Sequence, residues 1–167
     1  RQLSLFNDFE LPRASISSHE GSIQSLCIPS CYLCKHTMPC MVDAWLKSPE
    51  FTGLQLLEFN YSPGNHLPDT ERHVLVPSAP MSISQFSSSL HTANFALCCL
   101  PDNLVLNLQL LFLIKLSLVR VRISEASLHS IIHCSCPALE CLVLVFIVRI
   151  SCLQIKSPNL VRIGIFF

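Results

Sequence analysis

An apolar-x-x-apolar-x-apolar spacing returns six times along the chain and constrains its fold more than any other feature. It falls at Ile23, Leu26, Ile28; Leu54, Leu57, Phe59; Leu90, Ala93, Phe95; Leu113, Leu116, Leu118; Leu139, Leu142, Leu144; and Leu160, Ile163, Ile165. The last two members of each triplet are two residues apart, which is strand spacing, so both side chains reach the same face of a short strand. The first member falls just before that strand.

Successive triplets start 31, 36, 23, 26 and 21 residues apart. The later intervals lie within the period of about 20–29 residues of leucine-rich repeats. Between strands the sequence supplies helix material. Ser124 stands before Glu125-Ala-Ser-Leu-His-Ser-Ile-Ile-His133, an N-cap serine with an acid in the first turn, and Leu128, Ile131 and Ile132 form one apolar stripe. Cys136-Pro137 ends that helix just before the strand at Leu139. A second helix is expected over Pro39–Lys47, with Met41, Val42, Trp45 and Leu46 as its apolar face and Ser48-Pro49 as its stop.

Residues 62–89 interrupt the period with Pro63, Pro68, Pro77, Pro80 and a serine run at Ser87–Ser89. They predict a long irregular excursion, with an edge strand around His73–Val76. Near the end, Cys152–Ile155 and the stretch after Ser157-Pro158-Asn159-Leu160 read as two strands joined by a short turn, a repeat without its helix. The fold class expected is α/β: an irregular leucine-rich-repeat solenoid, with a curved parallel sheet and helices or loops on its convex side. One domain over residues 1–167 is expected, since 167 residues is an ordinary domain length.

Composition narrows the function classes. Lys plus Arg equals Asp plus Glu at 11 each, and only 13% of residues are charged. No basic field exists to hold a phosphate backbone, so nucleic acid is not an expected partner. The most apolar stretch, Leu104–Ile123, is interrupted by Lys115, Arg120 and Arg122. Each charge at a bilayer centre costs about 2.5–3.5 kcal/mol on insertion scales, so this stretch is read as core and no membrane partner is expected. The ten cysteines, without a secretory leader at the start, point to reduced thiols and to the cytoplasm or nucleus. Beginning at Arg1 and closing on Ile163-Gly-Ile-Phe-Phe167 without a polar cap, the chain is expected to be a piece of a longer one.

Candidate chemistry is sparse. Cys27, Cys31, Cys34, His36 and Cys40 place thiols and an imidazole close together, the ligand types of a tetrahedral zinc site. Structural sites usually draw two separated ligand pairs, whereas these five are crowded, and Cys27 falls in a strand pattern expected to point it inward. They are read as structural thiols, with a small zinc protein as the alternative. His129 and His133, with Glu125 one turn earlier, share a helix face. The glutamate has the wrong offset for a His-Glu-x-x-His site, so a solvated face is expected. With four glycines, no Gly-x-Ser-x-Gly elbow and no phosphate loop, neither enzymatic activity nor a cofactor is expected.

The positive expectation is a binding surface. Residues between and beyond the inward strand positions face the concave side: Glu58 and Asn60, Asn94 and Ala96, Ser117 and Val119, Val143 and Val145, Gly164 and Phe166. This row is mixed polar at first and apolar later. The apolar part either docks a partner or is covered by further chain.

Several motifs in order resemble the leucine-rich region of plant F-box proteins, especially the grass group that often carries a further C-terminal domain named for F-box and BRCA-type context. They are Ser22-Ile-Gln-Ser-Leu-Cys27, Val42-Asp-Ala-Trp-Leu46 running to Gly53-Leu-Gln-Leu-Leu-Glu-Phe59, Leu97-Cys-Cys-Leu-Pro101, Ile123-Ser-Glu-Ala-Ser-Leu128, Cys136-Pro-Ala-Leu-Glu-Cys-Leu142 and Ser157-Pro-Asn-Leu160. The resemblance spans Ile16 to the end. It implies a substrate receptor of a cullin-RING ubiquitin ligase, in which an F-box docks a linker protein and the repeats hold a protein target. No F-box is read in this sequence: Leu11-Pro12 leads into Arg13-Ala-Ser-Ile-Ser-Ser-His19, without apolar helices. The linker protein is therefore an expected partner only if an F-box lies outside this chain. A truncated copy without function is a further alternative.

Overall fold

Each triplet becomes one strand, and the strands stack in chain order. The computed structural model describes residues 2–4, 22–29, 38–60, 76–147, 150, 152–155 and 157–166. One parallel sheet joins β1 (Gln2–Ser4), β2 (Ser25–Pro29), β3 (Leu56–Asn60), β4 (Thr92–Ala96), β5 (Lys115–Val119), β6 (Cys141–Val145) and β7 (Arg162–Phe166). The second triplet members align across it as Leu26, Leu57, Ala93, Leu116, Leu142 and Ile163. The third members align as Ile28, Phe59, Phe95, Leu118, Leu144 and Ile165. From β2 to β6 all of these are buried, and so are the first members Ile23, Leu54, Leu90, Leu113 and Leu139. A one-residue slip would turn this whole set to solvent, so burial fixes the register.

Backbone hydrogen bonds repeat with the same period. From β3 onward the first triplet member closes a turn before its strand, as in Leu54 N–H to Phe51 C=O at 3.0 Å, Leu113 to Leu110 at 3.1 Å and Leu139 to Cys136 at 3.2 Å, whereas Ile23 N–H reaches Glu50 C=O at 2.9 Å. Next, a single carbonyl accepts two N–H groups from the following repeat. Gln24 accepts from Gln55 and Leu56, Gln55 from His91 and Thr92, His91 from Ile114 and Lys115, Ile114 from Glu140 and Cys141, and Glu140 from Val161 and Arg162.

The helices cover the sheet face that carries the triplets. α1 (Met38–Leu46) contributes Val42, Trp45 and Leu46 to the core, spaced i, i+3, i+4 as expected. α2 (Asp102–Asn107) contributes Leu104 and Val105. α3 (Glu125–Ser130) contributes Leu128 and begins at Ser124, whose hydroxyl accepts from Ser127 N–H at 3.1 Å, the cap read from sequence. A π turn over Ile131–Ser135 ends this helix, closed by Cys136 N–H to Ile131 C=O, before Pro137. The apolar stretch Leu104–Ile123 is thus a helix, a loop and a strand. Among the described residues no helix is long and apolar enough to cross a membrane.

Four features differ from the sequence reading. First, β1 was not foreseen: Leu3 aligns with Leu26, and the triplet member three residues earlier would precede Arg1. Second, the described part of the expected excursion, 76–89, is ordered rather than irregular. Ser78 forms a parallel bridge with Cys99, which bridges Arg122, and a 3-10 turn over Met81–Phe86 buries Ile83 and Phe86 where a helix would sit. Residues 62–75 lie outside the described residues, as does the expected edge strand except Val76, which belongs to no strand.

Third, residues 152–155 form no strand. Leu153 and Ile155 pack against the core instead, on the helix-bearing face, and the backbone of Gln154 bonds to histidine rings rather than to a neighbouring strand. Fourth, Cys27 does not point inward. It pairs with Glu58 on the opposite face, because Leu26 and Ile28 on either side take the inward positions.

Candidate binding face

The face of the sheet that no described helix covers is organised in rows, because parallel strands in register place equivalent residues side by side about 4.8 Å apart. The middle row runs Cys27, Glu58, Asn94, Ser117, Val143, Gly164. The row toward the strand ends runs Ala96, Val119, Val145, Phe166. Of the residues singled out from sequence, Glu58, Asn94, Ser117, Val119, Val143 and Val145 are half-buried in these rows, and Phe166 is exposed at 60%. Asn60 closes β3, paired with Pro29. The structure therefore brings the expected residues onto one surface, polar over β3–β4 and apolar over β6–β7. Phe166 leans back along its own strand toward the middle row: a Cβ added at Gly164 would lie 3.4 Å from the Phe166 ring and 3.9 Å from Val143.

A third row was missed. Thr92, Lys115, Cys141 and Arg162 open their strands and align with one another on this face, with Lys115 and Arg162 exposed. The strand alternation carried one step earlier would have found them. A further line of residues flanks the other end of the strands. Leu97, Arg120 and Phe146 each follow a strand with φ of 53°, 51° and 50°. This left-handed conformation is rare outside glycine, and here it recurs once per repeat. Each donates its N–H to the last carbonyl of the next strand: Leu97 to Val119 at 3.0 Å, Arg120 to Val145 at 2.7 Å and Phe146 to Phe166 at 2.8 Å. The Arg120 guanidinium lies 5.2 Å from the centre of the Phe146 ring, a cation–π contact.

The other candidates do not gather into a chemical site. Cys27 stands on the open sheet face and Cys40 on α1, while Cys31, Cys34 and His36 lie outside the described residues. Among the described residues no group of three or more His, Cys, Asp or Glu could hold a metal ion. His129 and His133 do come together, with rings 5.8 Å apart and 11° from parallel. They clamp one peptide unit: His129 Nε2 accepts from Gln154 N–H at 3.2 Å, and His133 Nε2 lies 3.0 Å from Gln154 C=O, to which it donates. They hold the helix-less repeat from a face that is still in contact with solvent, as expected, with His133 exposed and His129 half-buried. Beside that repeat a cavity of about 120 Å³ remains, lined by Leu128, Leu144, Ile147, Ile150, Leu153, Ile165 and Phe166. Its walls are apolar and it has no convergent polar groups.

Buried thiols are inert by the same geometry. Burial pushes the Cys98 and Cys136 thiols up to about 12, with the neighbouring Cys99 adding to the effect at Cys98. Thiolate nucleophiles are absent from those positions at neutral pH.

A family model for the LRR repeats of FBD-associated F-box protein At5g56370 matches residues 42–167. The chain belongs to this family. No curated protein matches the chain, and no solved structure does. The match to the FBD-associated F-box LRR repeats begins in α1 and continues through β7, so the open face from β3 onward lies inside it. Leucine-rich repeats typically recognise proteins and carry out no reaction, and the arrangement here is that of a protein-interaction domain.

Proposed function

We propose that this chain is the target-recognition part of an F-box subunit of a plant cullin-RING ubiquitin ligase, acting in the cytoplasm or nucleus. It holds a protein target on the open sheet face by non-covalent docking, and the ligase linker protein binds an F-box carried outside these repeats. The mechanism asks only for a rigid surface, which the registered strands supply; no residue in it acts as an acid, base or nucleophile. The observation that carries this reading is the continuous row Glu58, Asn94, Ser117, Val143, whose members are neither core nor covered by a described helix. The chain's membership in the LRR-repeat family of an FBD-associated F-box protein supports the ligase reading.

Proximity labelling in plant cells tests it with two variants of opposite placement. Val143→Arg puts a long charged side chain on the open face, and Leu106→Arg does so on α2, where Leu106 is already 76% exposed. The expected result is a set of labelled proteins lost with Val143→Arg and kept with Leu106→Arg. The reverse pattern, or equal loss from both, contradicts docking on the open face.

A further inference from the structure

Across β5–β7 the three rows of the open face differ in chemistry, and they differ in a way that selects a ligand. The strand-opening row holds two cations, Lys115 and Arg162, on either side of Cys141. The middle row is small, with Ser117, Val143 and the bare backbone of Gly164. The third row is apolar, with Val119, Val145 and Phe166.

We propose that this patch binds an extended peptide in which acidic and apolar side chains alternate. The inference rests on the protein-recognition reading above and deepens it by naming the class of target. The geometry follows from sheet spacing. Lys115 and Arg162 sit two strands apart, about 10 Å, while the cationic and apolar rows are separated by four residues, about 13 Å. A peptide crossing the strands over the small middle row therefore sends alternate side chains to opposite rows, one set toward the cations and the other toward Val119, Val145 and Phe166. Gly164 keeps the centre low, and the Phe166 ring lying against it makes one wall.

Charge complementarity selects the acidic partner. Asp43 on α1 pairs with Lys47 just beyond the helix, and among the described residues neither Lys115 nor Arg162 takes part in an ion pair. Glu140 stands at the foot of β6, one residue outside the row, and Glu58 is two strands away from Lys115. Both cations are exposed and held in place by the sheet, so a carboxylate meets them without prior breakage of an internal pair.

The test uses the full chain and three fluorescent decapeptides: alternating Glu and Leu, alternating Lys and Leu, and alternating Glu and Ser. Anisotropy titration is expected to show the Glu/Leu peptide binding at least about tenfold tighter than either of the others, with affinity falling as salt rises. The Lys115→Glu, Arg162→Glu double variant, confirmed folded by its thermal transition, is expected to reverse the preference toward Lys/Leu. Equal binding of Glu/Leu and Lys/Leu peptides overturns the proposal, as does a double variant that keeps the Glu/Leu preference. Binding to vesicles of anionic lipid but to none of the peptides overturns it too. If the peptides fail while the Val143→Arg and Leu106→Arg labelling contrast holds, this ligand class is wrong and the open-face reading stands.

Discussion

Single residues set both the strength and the inertness of this fold. Phe59 and Phe95 occupy adjacent third positions, are 0% and 2% exposed, and stack with ring centres 5.8 Å apart. Truncation there removes a large apolar body and the stack together, so Phe95→Ala is expected to lower unfolding free energy by about 3–5 kcal/mol, read from the urea midpoint. A loss below about 1 kcal/mol would mean the ring is not in the core. The thiols give a second residue-scale prediction. Cys98 and Cys136 are buried and protonated at neutral pH, whereas Cys40, Cys134 and Cys152 are exposed. An aromatic disulfide reagent should modify the exposed three quickly and the buried two only on unfolding, with the modified positions identified by peptide mass. The inward residues were legible because strand alternation is strict. The same alternation, applied residue by residue, puts Cys27 on the open face between inward Leu26 and Ile28. The left-handed positions at Leu97, Arg120 and Phe146 were not legible, because the residues bear no glycine signal and the φ is imposed by a hydrogen bond to the next repeat.

Between elements, the helix-bearing side is tied repeat to repeat through polar side chains. Asp102, in the first turn of α2, accepts from Ser124 Oγ at 2.7 Å and Ser127 Oγ at 2.5 Å on α3. Those two hydrogen bonds hold its carboxyl below the ordinary carboxylate range. A carboxylate with a depressed folded pKa contributes stability that is present above its unfolded value and lost as pH falls through the folded value. The stability difference between the native chain and Asp102→Asn is therefore expected at pH 7 and should shrink below about pH 4, measured as urea midpoints at both. A difference that persists unchanged at pH 3 contradicts the assignment. Asp43 plays the equivalent part on α1, accepting from Ser82 N–H at 2.9 Å and pairing with Lys47 at 2.6 Å. Sequence showed α1 and α3 through their apolar stripes, with a serine cap at α3 and a Ser48-Pro49 stop after α1. The ties between repeats join residues 22 to 39 apart, which no local pattern displays. For the same reason the clamp of His129 and His133 on Gln154 was invisible, and residues 152–155 read as a strand when their backbone partners were unknown.

At the scale of the whole molecule, the high apolar content follows from the repeat architecture. A parallel sheet with helices on one face needs three inward residues per repeat plus a helix stripe, and those positions take up much of a short chain. The repeat architecture was therefore legible from spacing alone, down to register. What spacing could not supply was β1, whose triplet is incomplete in this sequence, and the ordered bridge at Ser78, Cys99 and Arg122, which has no apolar period. The candidate face was half legible: its middle and far rows follow from alternation, while the cationic row stands just before the apolar pair of each strand, outside the triplet spacing. Recognition on the open face is decided by which face a target touches. Lysine and carboxyl footprinting by mass spectrometry, with a target recovered by proximity labelling bound and unbound, measures this directly. The account predicts that Lys115 and Glu58 lose reactivity in the complex while Lys47 and Glu125, on the helix-bearing side, keep theirs. Protection of Lys47 and Glu125 with Lys115 and Glu58 unchanged would contradict it.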